Sequence, residues 1–454
     1  MQSNASNLSA TAPLKQAGGG ASILLDVLYL FAAVLLTPYF LYRRFIKKKQ
    51  SAPFSAKMGH IPDRAAGRKR VWIHAVSVGE ATAAETLIKA LKKQMPDVDV
   101  VVSTTTVTGQ EVAQKRYGAD SVFYYPNDLS ISVKRALDRV KPSIIVLMEL
   151  EVWPNMTAEA AARGIPCVVV NGRVSPRAGR RYQQFWFLVG PSFNRIHRWL
   201  VQTDEYASRL KTLGVPAEKV EIAGNIKYDA IDATLAETER APARAAVGMP
   251  ADATVLVGGS THPTEEPELL RAYAALRGGS CPFLRLILVP RHPERAGDVA
   301  AEIAAAGFAC VRRSDIRGKG LDAAIAAIPT DKRDSWVLLI DTVGELKNMY
   351  KAADIAFIGG SLIPHGGQNI MEPCGLGVPV IHGPHMHNFN DAMDILHSVN
   401  GAVEVTRETL QPQLEKLLRD LPHARQTAAR AREAFIKHQG ATHRAVEYIS
   451  SQIQ

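Results

Sequence analysis

From Val71 onward, short apolar runs alternate with helix-length amphipathic stretches. Runs of this length, bounded by polar or glycine-rich segments, read as strands buried on both faces. Six lie near residues 71–75, 98–103, 121–125, 143–148, 166–170 and 197–201, and five more near 254–258, 283–289, 336–340, 354–358 and 378–381. Strands that alternate with helices predict parallel sheets covered on both faces. The two series are separated by Ile231 to Ala251, rich in Ala, Glu and Arg with Pro242 and Pro250, which predicts a linker between two doubly wound domains. The segment from about Leu410 to Ile453 is basic and alanine-rich and predicts closing helices. No internal repeat of 20–50 residues is present.

The N-terminus has a different pattern. Residues 1–20 include Gly18, Gly19 and Gly20, carry no apolar period and predict disorder. Ile23 to Tyr42 is long enough to cross a hydrocarbon core as a helix, with Asp26 near its outer end and Pro38 near its inner one. A cleaved signal peptide needs a basic stretch before the apolar run and small residues after it; this run ends in Tyr42, Arg43, Arg44 and Phe45. Arg43, Arg44, Lys47, Lys48 and Lys49 follow the run, against Lys15 before it, so a single-pass anchor over residues 21–46 would leave the rest in the cytoplasm. A helix lying in the membrane interface is the alternative.

Composition narrows the class. A chain of 454 residues is too long for one core. Cys167, Cys281, Cys310 and Cys374 are scattered without C-x-x-C spacing, which fits a reducing compartment. Lys and Arg exceed Asp and Glu by 54 to 44, favouring anionic partners such as a phospholipid surface or a phosphorylated substrate. No nucleic-acid module or basic-aromatic stripe accompanies that charge, so nucleic acid is not expected.

Two stretches carry candidate chemistry. Gly359 to Pro373, G-G-S-L-I-P-H-G-G-Q-N-I-M-E-P, leaves the apolar run Ile355 to Ile358 and opens onto a helix. Backbone amides in such a turn can cradle a phosphate, and Asn369 and Glu372, three apart, can hold ribose hydroxyls. A structural turn with a helix cap is the plainer reading. Trp72 to Glu80, W-I-H-A-V-S-V-G-E, runs from a strand through a turn into a helix, placing Glu80 at a strand's C-terminal end, where ligands bind in open α/β sheets. Glu80 fits equally well as a first-turn glutamate favoured by the helix dipole.

With several motifs between them, these stretches resemble the Kdo transferases, glycosyltransferases that move 3-deoxy-D-manno-octulosonic acid (Kdo) from CMP-Kdo to lipid A precursors. The resemblance covers nearly the whole chain after the first twenty residues. It rests on S-V-G-E (Ser77 to Glu80), E-V-W-P-N (Glu151 to Asn155), N-G-R-V-S (Asn171 to Ser175), G-N-I-K-Y-D (Gly224 to Asp229), P-R-H-P-E-R (Pro290 to Arg295), the glycine-rich stretch and G-P-H (Gly383 to His385). Leu150 stands where the family usually has threonine, Gln368 where it usually has histidine, and Ile370 where it often has proline.

The resemblance implies two Rossmann-like doubly wound domains facing a cleft (GT-B type) behind the N-terminal anchor. Residues 64–235 would bind acceptor and 245–425 the CMP-sugar, with 426–454 returning to the first domain. The implied reaction is inverting transfer to lipid IVA at the inner membrane in lipopolysaccharide inner-core synthesis, without a cofactor. Glu80 is the expected base, acting in the transition state because an ordinary carboxylate is a weak base for an alcohol. Glu151, after the run Ile144 to Met148, and Lys227 are expected to stabilise charge near the sugar carboxylate and anomeric centre; Glu149 can take the role of Glu151. Arg291, after the strand Phe283 to Val289, can grip phosphate, or can be a surface arginine flanking His292. The backbone of Val343, Gly344 and Glu345 suits cytidine or phosphate. With Pro290, Asn369, Ile370, Met371 and Glu372 these complete the expected CMP set.

A metal-independent reaction is preferred. Asp97 and Asp99 form D-x-D, but at the wrong end of a strand. His382, His385 and His387 lack an evident fourth ligand and read as a loop. Two other functions fit the same pattern: a soluble nucleotide-sugar 2-epimerase, which has no use for an anchor, and a membrane-tethered nucleotide-sugar binder, which has no use for Glu80.

Overall fold

The computed structural model describes residues 25–31, 34, 35, 37, 38, 52–229, 231, 239–250 and 252–453. The disordered stretch expected over 1–20, much of the 21–46 anchor and residues 232–238 of the linker lie outside the described residues. Among the described residues no helix is long and apolar enough to cross a membrane. The chain divides into two compact units, Met1–Lys227 with Gly440–Gln454, and Tyr228–Gln439.

The first unit is built on a seven-stranded sheet: β1 (Arg70–His74), β2 (Asp99–Thr104), β3 (Val122–Tyr124), β4 (Ile144–Met148), β5 (Cys167–Gly172), β6 (Arg198–Val201) and β7 (Val220–Ile222), in the order β3-β2-β1-β4-β5-β6-β7. Every pair is parallel. Period-two alternation sends Val71, Ile73, Val100, Val102, Ile144 and Val146 to one face, under the helices Val78–Gln94 and Ala441–Ile453. Trp72, Val101, Ile145, Leu147, Val169 and Trp199 fill the other.

The second unit repeats the plan with β8 (Thr254–Thr261), β9 (Leu284–Pro290), β10 (Ala309–Arg312), β11 (Trp336–Leu339), β12 (Ile355–Ile358), β13 (Val380–His382) and β14 (Val403–Glu404), ordered β10-β11-β9-β8-β12-β13-β14. These pairs are parallel too. All eleven apolar runs are strands, within a few residues of the expected ends. Three further strands, β7, β10 and β14, lie outside the expected set; each is a sheet-edge strand, and β10 carries only the short apolar run Phe308 to Val311. An edge strand needs only one paired side, so its sequence is free of the burial that marks the central ones.

A buried carboxylate fastens the second unit. Asp354, at the start of β12, accepts the Val255 N–H at 2.9 Å and pairs with Arg240 at 3.2 Å, Arg425 at 3.0 Å and Arg244. Arg240 and Arg244 lie on the helix Arg240–Ala245 and Arg425 on the helix Leu421–Lys437, so one side chain ties three segments together. Breaking a buried ion pair by removing one partner strands the others. Asp354→Ala should therefore lower unfolding free energy by about 3–5 kcal/mol. Urea denaturation checks this, and an unchanged midpoint would show that the cluster is a solvated one.

Candidate active site

In each sheet the chain begins in the middle, goes out to one side and then returns to build the other, β11 of the second sheet inserting between β9 and β10 on the way. At the reversal the loops after adjacent strands diverge, leaving a crevice beyond the strands' C-terminal ends. In the first unit that point lies between β1 and β4.

The loop after β1 enters the helix Val78–Gln94 through a capping box. Ser77, extended at the N-cap, accepts the Glu80 N–H at 3.4 Å, while Glu80 reaches back to accept the Val76 N–H at 2.9 Å and the Ser77 hydroxyl at 2.9 Å. Glu80 is thus the helix-terminus glutamate of the plainer reading, and it is more. Burial pushes its carboxyl up to about 7, with the nearby Glu149 and Glu151 adding to the rise and the two hydrogen bonds opposing it. The expected ordinary carboxylate is corrected to one poised at neutral pH, because its site is drier and more acidic than the motif shows.

The loop after β4 carries both other carboxylates. Glu149 sits in the left-handed region at φ 57°, although its N–H still closes the ladder to the Val170 carbonyl at 3.0 Å. Glu151 is pushed up by burial and accepts the Trp153 indole N–H at 3.2 Å. Trp153 packs against Tyr125 at 6.2 Å between ring centroids, and Tyr125 stacks on His74 at 3.8 Å. Burial holds His74 down to about 3, so this ring is neutral, and its Nε2 is buried without a partner.

Lys227 is exposed, on the short helix Ile226–Asp229. Its N–H donates to Asn225 Oδ1 at 3.0 Å, Asn225 donates to Gln202 at 3.2 Å, and Gln202 donates to the Asn171 carbonyl at 3.0 Å. Asn171, left-handed at φ 60°, also accepts the Ile226 N–H at 3.1 Å. The N-G-R-V-S and G-N-I-K-Y-D motifs are therefore one buried network. Gln202, which joins them, carries no motif; a polar residue directly after the apolar run of β6 is its only signal.

In the second unit the reversal lies between β8 and β12. Here the glycine-rich loop differs from expectation. The N–H groups of Gly360, Ser361 and Leu362 donate at 2.7, 3.0 and 3.0 Å to the buried carboxylate of Glu265, which also takes the His262 N–H at 2.9 Å. These amides are not free to cradle a phosphate. The glycine at 359 is required for a different reason: a Cβ there would lie 2.0 Å from the Ser260 carbonyl oxygen. The helix that follows the loop is short, Met371–Gly375.

A cluster of side chains lies beside this loop. His262, after β8, lies 4.2 Å from the His365 ring and 6.1 Å from the His292 ring. Its Nε2 is 3.1 Å from Gln368 Nε2, the donor that fixes it as an unprotonated acceptor. Burial, then His365, His292, Arg295 and Arg291, hold His262 down to about 4. Arg295 is itself paired with the buried Glu266 at 2.8 Å, so Arg291 is the cation of this group that remains exposed. His262 and His365 escape motif reading because each is a lone histidine in sequence.

The expected CMP residues fall at the same C-terminal edge. Pro290 ends β9; Arg291 is exposed, and its N–H donates to the Thr261 carbonyl at 2.9 Å. Asn369 donates to Glu372 at 2.9 Å and accepts the Met371 N–H at 3.2 Å, so each holds the other in place. The Ile370 side chain is buried, leaving its backbone. The Glu345 carboxylate is occupied by Arg313 at 2.8 Å, Arg317 at 3.3 Å and Thr342, leaving Val343, exposed, and Gly344, at φ 86°. Asp99 pairs with Arg70 at 2.6 Å, and the buried His382 ring bonds the Gly383 carbonyl at 2.7 Å.

Residues 52–230 match the family described as 3-deoxy-D-manno-octulosonic-acid transferase (kdotransferase). The 3-deoxy-D-manno-octulosonic acid transferase of Haemophilus influenzae is 34% identical over 85% of this chain and 87% of its own. The chain belongs to this family. The transferase of the same name from Bordetella pertussis is 35% identical over 83% of this chain and 86% of its own. A crystal structure of UDP-GlcNAc 2-epimerase from Neisseria meningitidis, 14% identical, shares the fold with a TM-score of 0.50 over 85% of this chain and 99% of that one.

Two outcomes follow from this geometry. Titrated by carbon NMR, Glu80 should show a midpoint near 7, and Glu149→Gln should lower it by removing a like charge; an unmoved midpoint would separate the two carboxylates. Gln202→Ala leaves the Asn225 amide and Asn171 carbonyl unpaired, so it should cost about 1–3 kcal/mol of stability. Chemical denaturation reads that loss directly.

Proposed function

We propose that this protein is an inverting glycosyltransferase that moves Kdo from CMP-Kdo to a lipid A precursor, lipid IVA, at the inner membrane. What carries the reading is Glu80: a half-buried carboxyl poised near 7 at a strand reversal, in a chain of the Kdo transferase family. The first unit supplies the acid–base chemistry and the second holds the nucleotide. Glu80 takes the proton of the acceptor hydroxyl as that oxygen bonds the anomeric carbon and the bond from that carbon to the phosphate of CMP breaks. Glu151 and Lys227 stabilise charge at the sugar. Arg291 and the histidine cluster of the second unit meet the leaving phosphate, with Asn369 and Glu372 on the ribose and the backbone of Val343 and Gly344 on cytosine. The apolar run and cationic cluster before residue 50 keep the enzyme beside its lipid acceptor on an anionic surface.

Transfer from CMP-Kdo to lipid IVA, followed by product mass, tests the reaction. Glu80→Gln should leave CMP-Kdo binding intact and lower kcat by about 10²-fold or more, the usual weight of a general base. In the wild type, kcat should fall as pH drops through about 7, because protonation removes the base. A flat profile between pH 6 and 8 would exclude Glu80 from that role. Arg291→Ala should weaken CMP binding by roughly 1.5–3 kcal/mol, the value of a hydrogen bond to a charged group. Unchanged CMP inhibition would move the phosphate elsewhere. An active Glu80→Gln variant that makes no transfer product but alters the sugar nucleotide would favour an epimerase.

A further inference from the structure

Asp26 is an anomaly in the N-terminal apolar run, since a lone carboxylate beside apolar surroundings is costly. It is not alone. Asp26 accepts the Ser130 N–H at 2.9 Å, the Ser130 hydroxyl and the Asn155 side-chain N–H at 2.9 Å. Ser130 opens the helix Ser130–Val140, whose first amides have no partner of their own. One turn along, the Tyr29 hydroxyl donates to Asp128 at 3.1 Å. Asp128 is buried and accepts the N–H groups of Asn155 and Met156, each at 2.9 Å, and its carbonyl takes the Asn155 side chain at 2.6 Å. Asp26 and Tyr29 are half-buried, whereas Val27, Leu28, Leu30 and Phe31 are exposed. The helix therefore has a polar docking face and a separate apolar face.

It docks on the turn Asp128 to Ser130 and, through Asn155, on the first turn of the helix Pro154–Ala162 that follows Glu151. Asn155 lies two residues after Trp153, the side chain that holds Glu151. A helix crossing the membrane with Asp26 at its outer end could not make these contacts with a cytoplasmic unit, so they favour the interface-lying alternative over the expected single-pass span. We propose that Asp26 and Tyr29 are positioning residues: they seat the N-terminal helix beside the Glu151 loop, so that the helix sustains turnover in addition to any membrane attachment. This rests on the role given to Glu151 above. Displacing a charge-stabilising group by about 1 Å can cost up to 10²-fold in rate, while donor binding in the second unit is left alone.

The test uses the full chain, CMP-Kdo and a short-chain, water-soluble acceptor analogue that needs no membrane. Asp26→Ala/Tyr29→Phe should lower kcat by about tenfold with the donor KM unchanged, while sedimentation with phosphatidylglycerol vesicles stays at the wild-type level because the apolar residues are intact. Wild-type kcat in this variant would overturn the proposal and leave the helix a tether. Should the double variant fold poorly, Tyr29→Phe alone decides by hydrogen exchange. Faster exchange of the Asn155 and Met156 amides supports the docking, and unchanged exchange overturns it. Glu151→Gln runs alongside: full activity there would remove the underlying assignment of Glu151, whereas its loss beside a fully active double variant would sink the positioning role alone.

Discussion

Parallel strands joined by right-handed crossovers put every strand's C-terminal end on one edge of the sheet, and the rest of this structure depends on that constraint. Each sheet starts in its middle and reverses once, between β1 and β4 in the first unit and between β8 and β12 in the second. Neighbouring loops part only at a reversal. Glu80, Glu149 and Glu151 occupy one such point, and His262, His365 and the glycine-rich loop the other. The same chain logic, used twice, gives two places where side chains can meet a ligand without disturbing a core.

Two buried carboxylates and one half-buried one illustrate how environment assigns a role. Asp354 is surrounded by three guanidinium groups and a backbone amide and serves as a fastener. Glu265 takes four backbone N–H groups and organises the turn from which the histidine cluster projects. Glu80 has only one N–H and one hydroxyl, with two carboxylates nearby, so burial dominates and lifts it to about 7. Burial raises Glu265 as well, its four N–H donors opposing the rise, so the donors set what each carboxylate holds in place.

For Glu80, a capping role is compatible with the chemical role proposed for it. The capping box fixes its rotamer, which is what a base acting on a positioned hydroxyl requires. The strained backbone at Glu149 serves the same end, turning the chain sharply out of β4 while keeping its ladder hydrogen bond.

The sequence by itself determined the central strands, because burial on both faces of a parallel sheet demands unbroken apolar runs, as in Ile144–Met148 and Ile355–Ile358. It also determined where chemistry would gather, since turn residues after those runs mark the C-terminal edge. The edge strands β7, β10 and β14 were hidden, being only half covered. What the tertiary structure alone decided were the partners. Glu265 is 95 residues from the amide of Gly360 that it captures, and Asp26 is 129 residues from Asn155. A local pattern reports which groups a segment offers. Whether an amide is free, a carboxyl dry or a histidine crowded depends on segments brought beside it by the fold, and over such separations no periodicity records the meeting.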